Sequence, residues 1–296
     1  MGVTSLREAG RRPILVTGMP RSGTTWVARL LAQAPGVSLT GREPMNPRGR
    51  QYGLGGTLDA WTRLSAPTPR QSRRLRWAYA GCNPWVYSRY GRDQWAACLP
   101  GRRLVVKDPF ALLSITTIHR LTGAVTVVVY RHPGAALASY RRMGWQPDVS
   151  EVAPIVQALL ESDRPPGVTA PPPNDTGEVE AMGWFWSALY SIALHDLEDV
   201  PGAVVVSHAE LASGGDSAQK AIFRHLGLPW VSSRHQAARP DAVSPEALHN
   251  FDRAPEAVAE EWQRSLTTTD IKRIEQATLR TREALDRCRL PLLTVP

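Results

Sequence analysis

The feature that most constrains this chain is a glycine-bracketed turn near its amino end, at residues 18–23. Residues 14–17 form an apolar run typical of a buried strand, and residues 24–34 carry apolar side chains at the spacing of one helix face. Strand, turn and helix therefore follow in the order of a phosphate-binding loop, in which backbone N–H groups surround an anion at the start of the helix. The sequence predicts an anion cradle here.

The turn departs from the loop that binds nucleoside triphosphates at one position. The Gly-x4-Gly spacing from Gly18 to Gly23 is kept, but Thr24 stands where that loop has lysine. Because that lysine reaches the β and γ phosphates, its loss favours a smaller anion bound without a metal. Arg21 adds a planar fork of donors that suits phosphate or sulfate oxygens. The candidate cradle residues are Arg21, Ser22, Gly23, Thr24, Thr25 and Trp26.

Composition and charge limit the class of protein. The 296 residues are 43% hydrophobic and 21% charged, which is typical of a globular protein and predicts a single domain over residues 1–296. The three cysteines have no metal-ligand or disulfide spacing, and no apolar stretch reaches the roughly 20 residues that span a bilayer. We therefore expect a cytoplasmic protein with no metal site and no membrane span. The net charge of +8 favours anionic ligands, but no nucleic-acid module accompanies it.

Strand-like and helix-like segments alternate along the chain. This alternation predicts an α/β, P-loop-type three-layer fold with a central parallel sheet flanked by helices. Residues 110–121 are predicted to form a crossover helix, and the proline-rich residues 164–177 a loop. The predicted strands are residues 14–17, 37–39, 103–107, 125–130 and 203–207.

Two segments are predicted to form substrate-side helices and loops, residues 53–99 and 143–180. Residues 53–99 are rich in Trp and Tyr, among them Trp61, and Trp145, Trp184 and Trp186 follow further along the chain. These aromatics could line a substrate pocket, or they could fill the core beside the sheet.

A second anion site is predicted where the strand at 125–130 ends. Arg131 follows that strand directly, and Ser139 lies about two helical turns further on, on the face that points back toward the start of the helix. Two anion sites at the carboxyl ends of neighbouring strands predict a ligand that carries phosphates at both ends.

These two motifs resemble those of the sulfotransferases that use 3′-phosphoadenosine 5′-phosphosulfate (PAPS). Residues 17–26 are similar to the family's 5′-phosphosulfate loop, and residues 130–140 to its 3′-phosphate segment. A weaker likeness covers residues 204–211, 223–229 and 262–266. The resemblance implies transfer of a sulfuryl group from PAPS to a hydroxyl of a small molecule, glycan or glycolipid, with 3′,5′-ADP (PAP) as product and no metal.

The resemblance also suggests candidates for the base. Glu43 lies in a Glu-Pro turn like those of carbohydrate-type and bacterial sulfotransferases, although it could instead pair with an arginine such as Arg42. Lys107 is followed by Asp108, so the catalytic histidine of the Lys-Thr-His segment of cytosolic members is absent. Asp108 is the second candidate base, or else the cap of the following helix. The candidate catalytic residues are Glu43, Arg21, Lys107 and Asp108.

Part of the family pattern is missing, and two other functions stay open. The Arg-Lys-Gly segment expected near the carboxyl end is not found, which leaves Arg253 as the candidate for its role. A P-loop kinase with a degenerate loop would require ATP and Mg²⁺, against which Thr24 argues. A non-enzymatic nucleotide or nucleic-acid binder would show salt-dependent affinity for polyanions without turnover. The sequence gives no indication of oligomeric state.

Overall fold

The structure is a computed structural model that describes residues 12–48, 53–82, 99, 101–162, 167–173, 175–230 and 262–292. Its described strands form one parallel sheet in the order β2-β3-β1-β4-β5. The strands are β1 (Ile14–Thr17), β2 (Val37–Leu39), β3 (Arg103–Lys107), β4 (Val125–Tyr130) and β5 (Val204–Ser207). Each of these strands agrees with its predicted position to within one residue.

Helices follow the strands along the chain, and a short 3₁₀ helix over Pro109–Ser114 follows β3. The α-helices of the described ranges are α1 (Thr24–Leu31), α2 (Pro69–Tyr79), α3 (Ile115–Thr122), α4 (Pro133–Met143), α5 (Val149–Leu160), α6 (Glu178–Leu197), α7 (His208–Ser213), α8 (Gly215–His225) and α9 (Thr268–Cys288). None of the helices in these ranges is both long enough and apolar enough to span a bilayer.

The sheet separates two apolar clusters, which makes the fold a three-layer α/β structure, as predicted. Ile14 and Val16 of β1 pack with α1 and α8 on one side, whereas Leu15 packs with α6 and α9 on the other. Every residue of the five strands is buried. Strands buried on both faces read as continuous apolar runs, which is why the sequence reveals them.

The register of the sheet brings the candidate residues to one edge. Val16 pairs with both Lys107 and Val127, and the N–H of Thr40 donates to the carbonyl of Val105. Because the strands are parallel, the segments that follow β1, β2, β3 and β4 all leave from the same edge, where ligands bind in open α/β sheets.

The structure adjusts the expectation for residues 110–121, and other expectations concern residues outside the described ranges. The crossover helix expected at 110–121 is split, because Asp108 caps a 3₁₀ helix and α3 begins only at Ile115. Trp61 and Trp184 are buried in the core, whereas Trp145 is exposed. Residues 83–98 and 253 lie outside the described residues, as do 163–166 and 174 of the predicted loop.

Candidate active site

The loop after β1 is held tightly against neighbouring elements. A Cβ atom at Gly18 would lie 2.1 Å from the carbonyl oxygen of Val129, and one at Gly23 would lie 2.1 Å from Cδ2 of His208. Gly23 also has a φ of 93°, and Arg21 has a φ of 72°. Glycine is therefore required at both ends of the loop, because a side chain at either position would collide with β4 or with the start of α7.

A buried tyrosine on α6 fixes the middle of this loop. The hydroxyl of Tyr190 donates to the carbonyl of Val129 at 2.9 Å and accepts from the N–H of Met19 at 3.2 Å. Burial raises the pKa of Tyr190, so its hydroxyl stays protonated and can serve both contacts. The N–H of Ser22 then donates to the carbonyl of Met19 at 3.0 Å, which closes the turn.

The start of α1 has the character of an anion site. Gly23 is the N-cap residue, and no side chain caps the helix. The N–H groups of Thr24 and Thr25 open the first turn and have no acceptor within the helix. Uncapped N–H groups and the positive end of the helix dipole both favour a bound anion, so the residues present fit a phosphate or sulfate group.

Arg21 links the loop to the second predicted motif. Its Nε donates to Oγ of the buried Ser139 on α4 at 3.0 Å, and its guanidinium carbon lies 5.9 Å from the ring centroid of Trp145. Burial lowers the pKa of Arg21, and the nearby charge of Arg142 lowers it further. A guanidinium remains charged despite such a shift, because its ordinary pKa lies far above neutrality.

Arg131 and its neighbours occupy the end of β4. The Nε1 of Trp186 donates to the carbonyl of Arg131 at 3.1 Å. His132 stacks on Trp262 with ring centroids 4.5 Å apart, and its Nδ1 accepts from the N–H of Gly134. Burial lowers the pKa of His132 to about 4, so this histidine is neutral near pH 7. The end of β4 is therefore fixed by packing from α6 and from the segment at Trp262.

Glu43 and Lys107 form a buried ion pair at the ends of β2 and β3. The Nζ of Lys107 contacts Oε1 of Glu43, and the Nδ2 of Asn46 donates to Oε2 of the same carboxylate. Burial lowers the pKa of Lys107 to about 8; Asp108 opposes this change and Arg29 adds to it. A carboxylate and an ammonium group are thus held together beside the loop that follows β1.

Asp108 is enclosed by backbone donors. Its Oδ2 accepts from the N–H of Met45, and its Oδ1 accepts from the N–H of Phe110 at 3.1 Å. Burial raises the pKa of Asp108 to about 7, whereas these hydrogen bonds and Lys107 act in the opposite direction. Asp108 therefore occupies the capping position weighed in the sequence analysis, and it ties the turn that carries Glu43 to β3.

Comparison with known proteins shows the family of this chain. A family model described as "Sulfotransferase family" matches residues 13–232, which is most of the chain. The chain belongs to the sulfotransferase family. No curated protein sequence matches it at a significant level.

Solved sulfotransferase structures are similar to this sulfotransferase. The sulfotransferase domain of the Synechococcus PCC 7002 olefin synthase is 18% identical with a TM-score of 0.51, and 97% of each chain is covered. Mycobacterium avium STF9 is 16% identical (TM-score 0.43; 94% of this chain and 79% of that one). Mouse SULT7A1, solved with PAP, is 14% identical (TM-score 0.42; 93% and 88%). At 18% identity, the similarity to the Synechococcus domain shows the fold alone.

The structure of this sulfotransferase adds site residues that sequence reasoning missed. His208 lies against Gly23 and meets Trp26 edge-on with centroids 5.5 Å apart. Burial lowers the pKa of His208 to about 4, so it is neutral. The position of Asn46, three residues after Glu43, was a weak sequence signal for a contact between the two side chains. No sequence signal pointed to the contacts of Tyr190. No group of three or more His, Cys, Asp or Glu residues in the described ranges is arranged to hold a metal ion.

Proposed function

We propose that this sulfotransferase moves a sulfuryl group from PAPS to a hydroxyl of a small molecule, glycan or glycolipid, in the cytoplasm and as a single domain. The observation that carries the proposal is the buried pair of Glu43 and Lys107 at the same sheet edge as the uncapped start of α1. The pair supplies a carboxylate that can take a proton, and the start of α1 supplies N–H donors for a phosphosulfate.

The donor would be held at both ends by residues of this chain. Arg21 and the N–H groups of Gly23, Thr24 and Thr25 would bind the 5′-phosphosulfate. Arg131 and Ser139, in the segment that resembles the family's 3′-phosphate motif, would bind the 3′-phosphate. The contact between Arg21 and Ser139 supports one ligand that reaches both motifs.

PAPS carries its sulfuryl group on a good leaving group, so the protein has to position the reactants and stabilise the charge that develops. Glu43 would take the proton of the acceptor hydroxyl as the hydroxyl oxygen bonds to sulfur. The electron pair of the broken S–O bond stays on the 5′-phosphate oxygen of the departing PAP. Arg21 and the cradle N–H groups would offset the charge that builds there.

Lys107 would change its partner when this proton is transferred. While Glu43 is a carboxylate, the ammonium of Lys107 is paired with it. A proton on Glu43 removes that partner's charge, which leaves Lys107 available to donate to an oxygen of the transferring group. Asp108 is fully buried and its two oxygens accept from backbone N–H groups, whereas the two oxygens of Glu43 contact the side chains of Lys107 and Asn46; this difference favours Glu43 over Asp108 as the base.

The test is transfer of radioactive sulfur from labelled PAPS to a panel of phenols, alkyl alcohols and saccharides. We expect Glu43→Gln to slow transfer by about 10²–10⁴-fold, the usual contribution of a positioned base, with little change in PAP affinity. Ser162→Ala, which alters an exposed hydroxyl on the carboxyl side of α5, is the matched control. Full turnover by Glu43→Gln would show that Glu43 is not the base.

A further inference from the structure

Helix α2 has an exposed face made of arginine and tryptophan side chains. Arg70, Arg73 and Arg76 are exposed, and Trp77 is 47% exposed. At about 100° per residue, these four side chains fall on one side of the helix. The guanidinium carbon of Arg73 lies 5.5 Å from the ring centroid of Trp77. The side of α2 that points away from the core therefore combines positive charge with a large aromatic ring.

The opposite face fixes α2 to the rest of the protein. Leu75, Ala78 and Tyr79 are buried in the core. A capping box closes the amino end, because the side chain of Thr68 accepts from the N–H of Gln71 and the side chain of Gln71 accepts from the N–H of Thr68. Rotation of α2 to bury its tryptophan would expose this apolar face, so the arginine and tryptophan face is a fixed part of the surface.

The charge of this face is not balanced by neighbouring acids. Residues 60–92 contain seven arginines and no aspartate or glutamate. Other surface arginines lie beside carboxylates: Arg141 is 2.9 Å from Glu178, and Arg273 is 2.5 Å from Glu180. Within the described ranges, the three exposed arginines of α2 form no ion pair. A concentration of unbalanced charge attracts an anionic partner from outside the chain.

An anionic lipid surface fits both components of the face. Lipid phosphates attract arginine side chains, and a tryptophan ring is stable at the level of the headgroups, where its N–H stays wet and its apolar part does not. A nucleic acid is bound differently, by a charged groove with aromatic rings on which bases stack. Here the helix is a convex surface, and the guanidinium of Arg73 already lies over the ring of Trp77.

We propose that α2 binds the surface of an anionic membrane through Arg70, Arg73, Arg76 and Trp77. The arginines contact lipid phosphates, and the indole enters the headgroup layer beside them. The contact is peripheral and reversible, because it combines a few charges with one aromatic ring. The inference goes beyond the proposed function, since it names a partner surface and requires neither the sulfuryl donor nor the acceptor.

The experiment is co-sedimentation of the full chain with vesicles of phosphatidylcholine, or of phosphatidylcholine and phosphatidylglycerol in equal parts. We expect binding to the mixed vesicles only, with an affinity that falls as salt is added. The triple variant Arg70→Gln, Arg73→Gln, Arg76→Gln should bind about 100-fold more weakly, because each basic residue near an anionic surface contributes about fivefold. Trp77→Ala should bind about tenfold more weakly, because it removes apolar area from the contact.

Helix α9 supplies the matched controls. The triple variant Lys272→Gln, Arg280→Gln, Arg287→Gln removes the same charge from exposed positions. Leu279→Ala removes an apolar side chain that is also 47% exposed. Both controls should keep vesicle affinity within about threefold, because charges more than a Debye length from the lipid act weakly. All the altered side chains are exposed, so melting temperatures should stay close to that of the unmodified chain.

Equal binding to the two kinds of vesicle would overturn the inference, and so would equal losses in the α2 and α9 triple variants. Unchanged affinity in Trp77→Ala, which keeps the charge of the face, would overturn it as well. Binding of polyuridylic acid without binding of the mixed vesicles would assign the face to nucleic acid instead. The vesicle experiment contains no PAP, so its failure is distinct from a failure of the proposed sulfuryl transfer.

Discussion

The Nε of Arg21 donates a hydrogen bond to Oγ of Ser139 at 3.0 Å across 118 positions of sequence. Arg21 belongs to the loop after β1, and Ser139 to the helix after β4. These strands are neighbours in the sheet, with Val16 opposite Val127. The contact therefore joins the two motifs at one point.

Loss of this hydrogen bond should weaken donor binding. We expect Ser139→Ala to lower PAP affinity by about tenfold or more, because a hydrogen bond to a charged group contributes about 1.5–3 kcal/mol. Calorimetry on Ser139→Ala, Arg21→Ala and the double variant measures the coupling between the two residues. Strictly additive losses would show that the contact does not matter for PAP.

A side chain at Gly23 should damage the cradle. We expect Gly23→Ala to lower the melting temperature and abolish PAP binding, because its Cβ would lie 2.1 Å from His208 and its φ of 93° disfavours alanine. Adding His208→Ala should restore part of the stability by removing the collision, although the backbone strain remains. Gly202→Ala, at a φ of 78° with open space around it, is the matched control for the strain alone. Equal effects at both glycines would contradict the role of His208.

Transfer should depend on the charge of Lys107. Burial lowers the pKa of Lys107 to about 8, so the rate at saturating substrates should fall as the pH rises through this value and the ammonium loses its proton. Lys107→Arg keeps the charge and should remove that alkaline limb, even if its rate at pH 7 is lower. If the rate of Lys107→Arg falls over the same alkaline pH range, the titrating group is not Lys107.

Asp108 should contribute to stability in a pH-dependent way. Its pKa is raised from 3.8 to about 7, so between these values the folded chain holds a proton that the unfolded chain has lost. The contribution of Asp108 to the free energy of unfolding is therefore greatest below pH 3.8 and declines as the pH rises toward 7. Urea unfolding between pH 5 and pH 8 should show this decline in the unmodified chain but not in Asp108→Asn.

Asp108→Asn should also be less stable than the unmodified chain at pH 8. An amide can accept from only one of the N–H groups of Met45 and Phe110, and the other is left without its partner. The expected loss is about 1–3 kcal/mol. The described environment of Asp108 would be contradicted if Asp108→Asn matched the unmodified chain both in the free energy of unfolding at pH 8 and in the change of that free energy with pH.

Much of the fold could be predicted because its strands are short and wholly buried. The β-branched runs at Arg103–Lys107 and Val125–Tyr130 show no polar alternation, as expected for a parallel sheet covered on both faces. The glycine turn after β1 identified the loop, because only a few local structures require that spacing. The split of the predicted helix at 110–121 was missed, although Asp108 had been considered as the cap of the helix that follows it.

The contacts that hold the site could not be predicted from the sequence. Met19 meets Tyr190 across 171 positions, and Glu43 meets Lys107 only because β2 lies beside β3 in the sheet. Strand order and long-range packing have no local pattern that reveals them. The sequence therefore indicated which residues follow the strand ends, whereas the structure indicates which of them touch.

The most direct test of the account is calorimetric titration of the unmodified chain with PAP and with ATP, each with and without Mg²⁺. We expect PAP to bind without a metal and at least about tenfold more tightly than ATP, because the loop has Thr24 in place of the lysine that holds a triphosphate. Folded protein that binds no PAP, or that binds ATP more tightly and only with Mg²⁺, would contradict it.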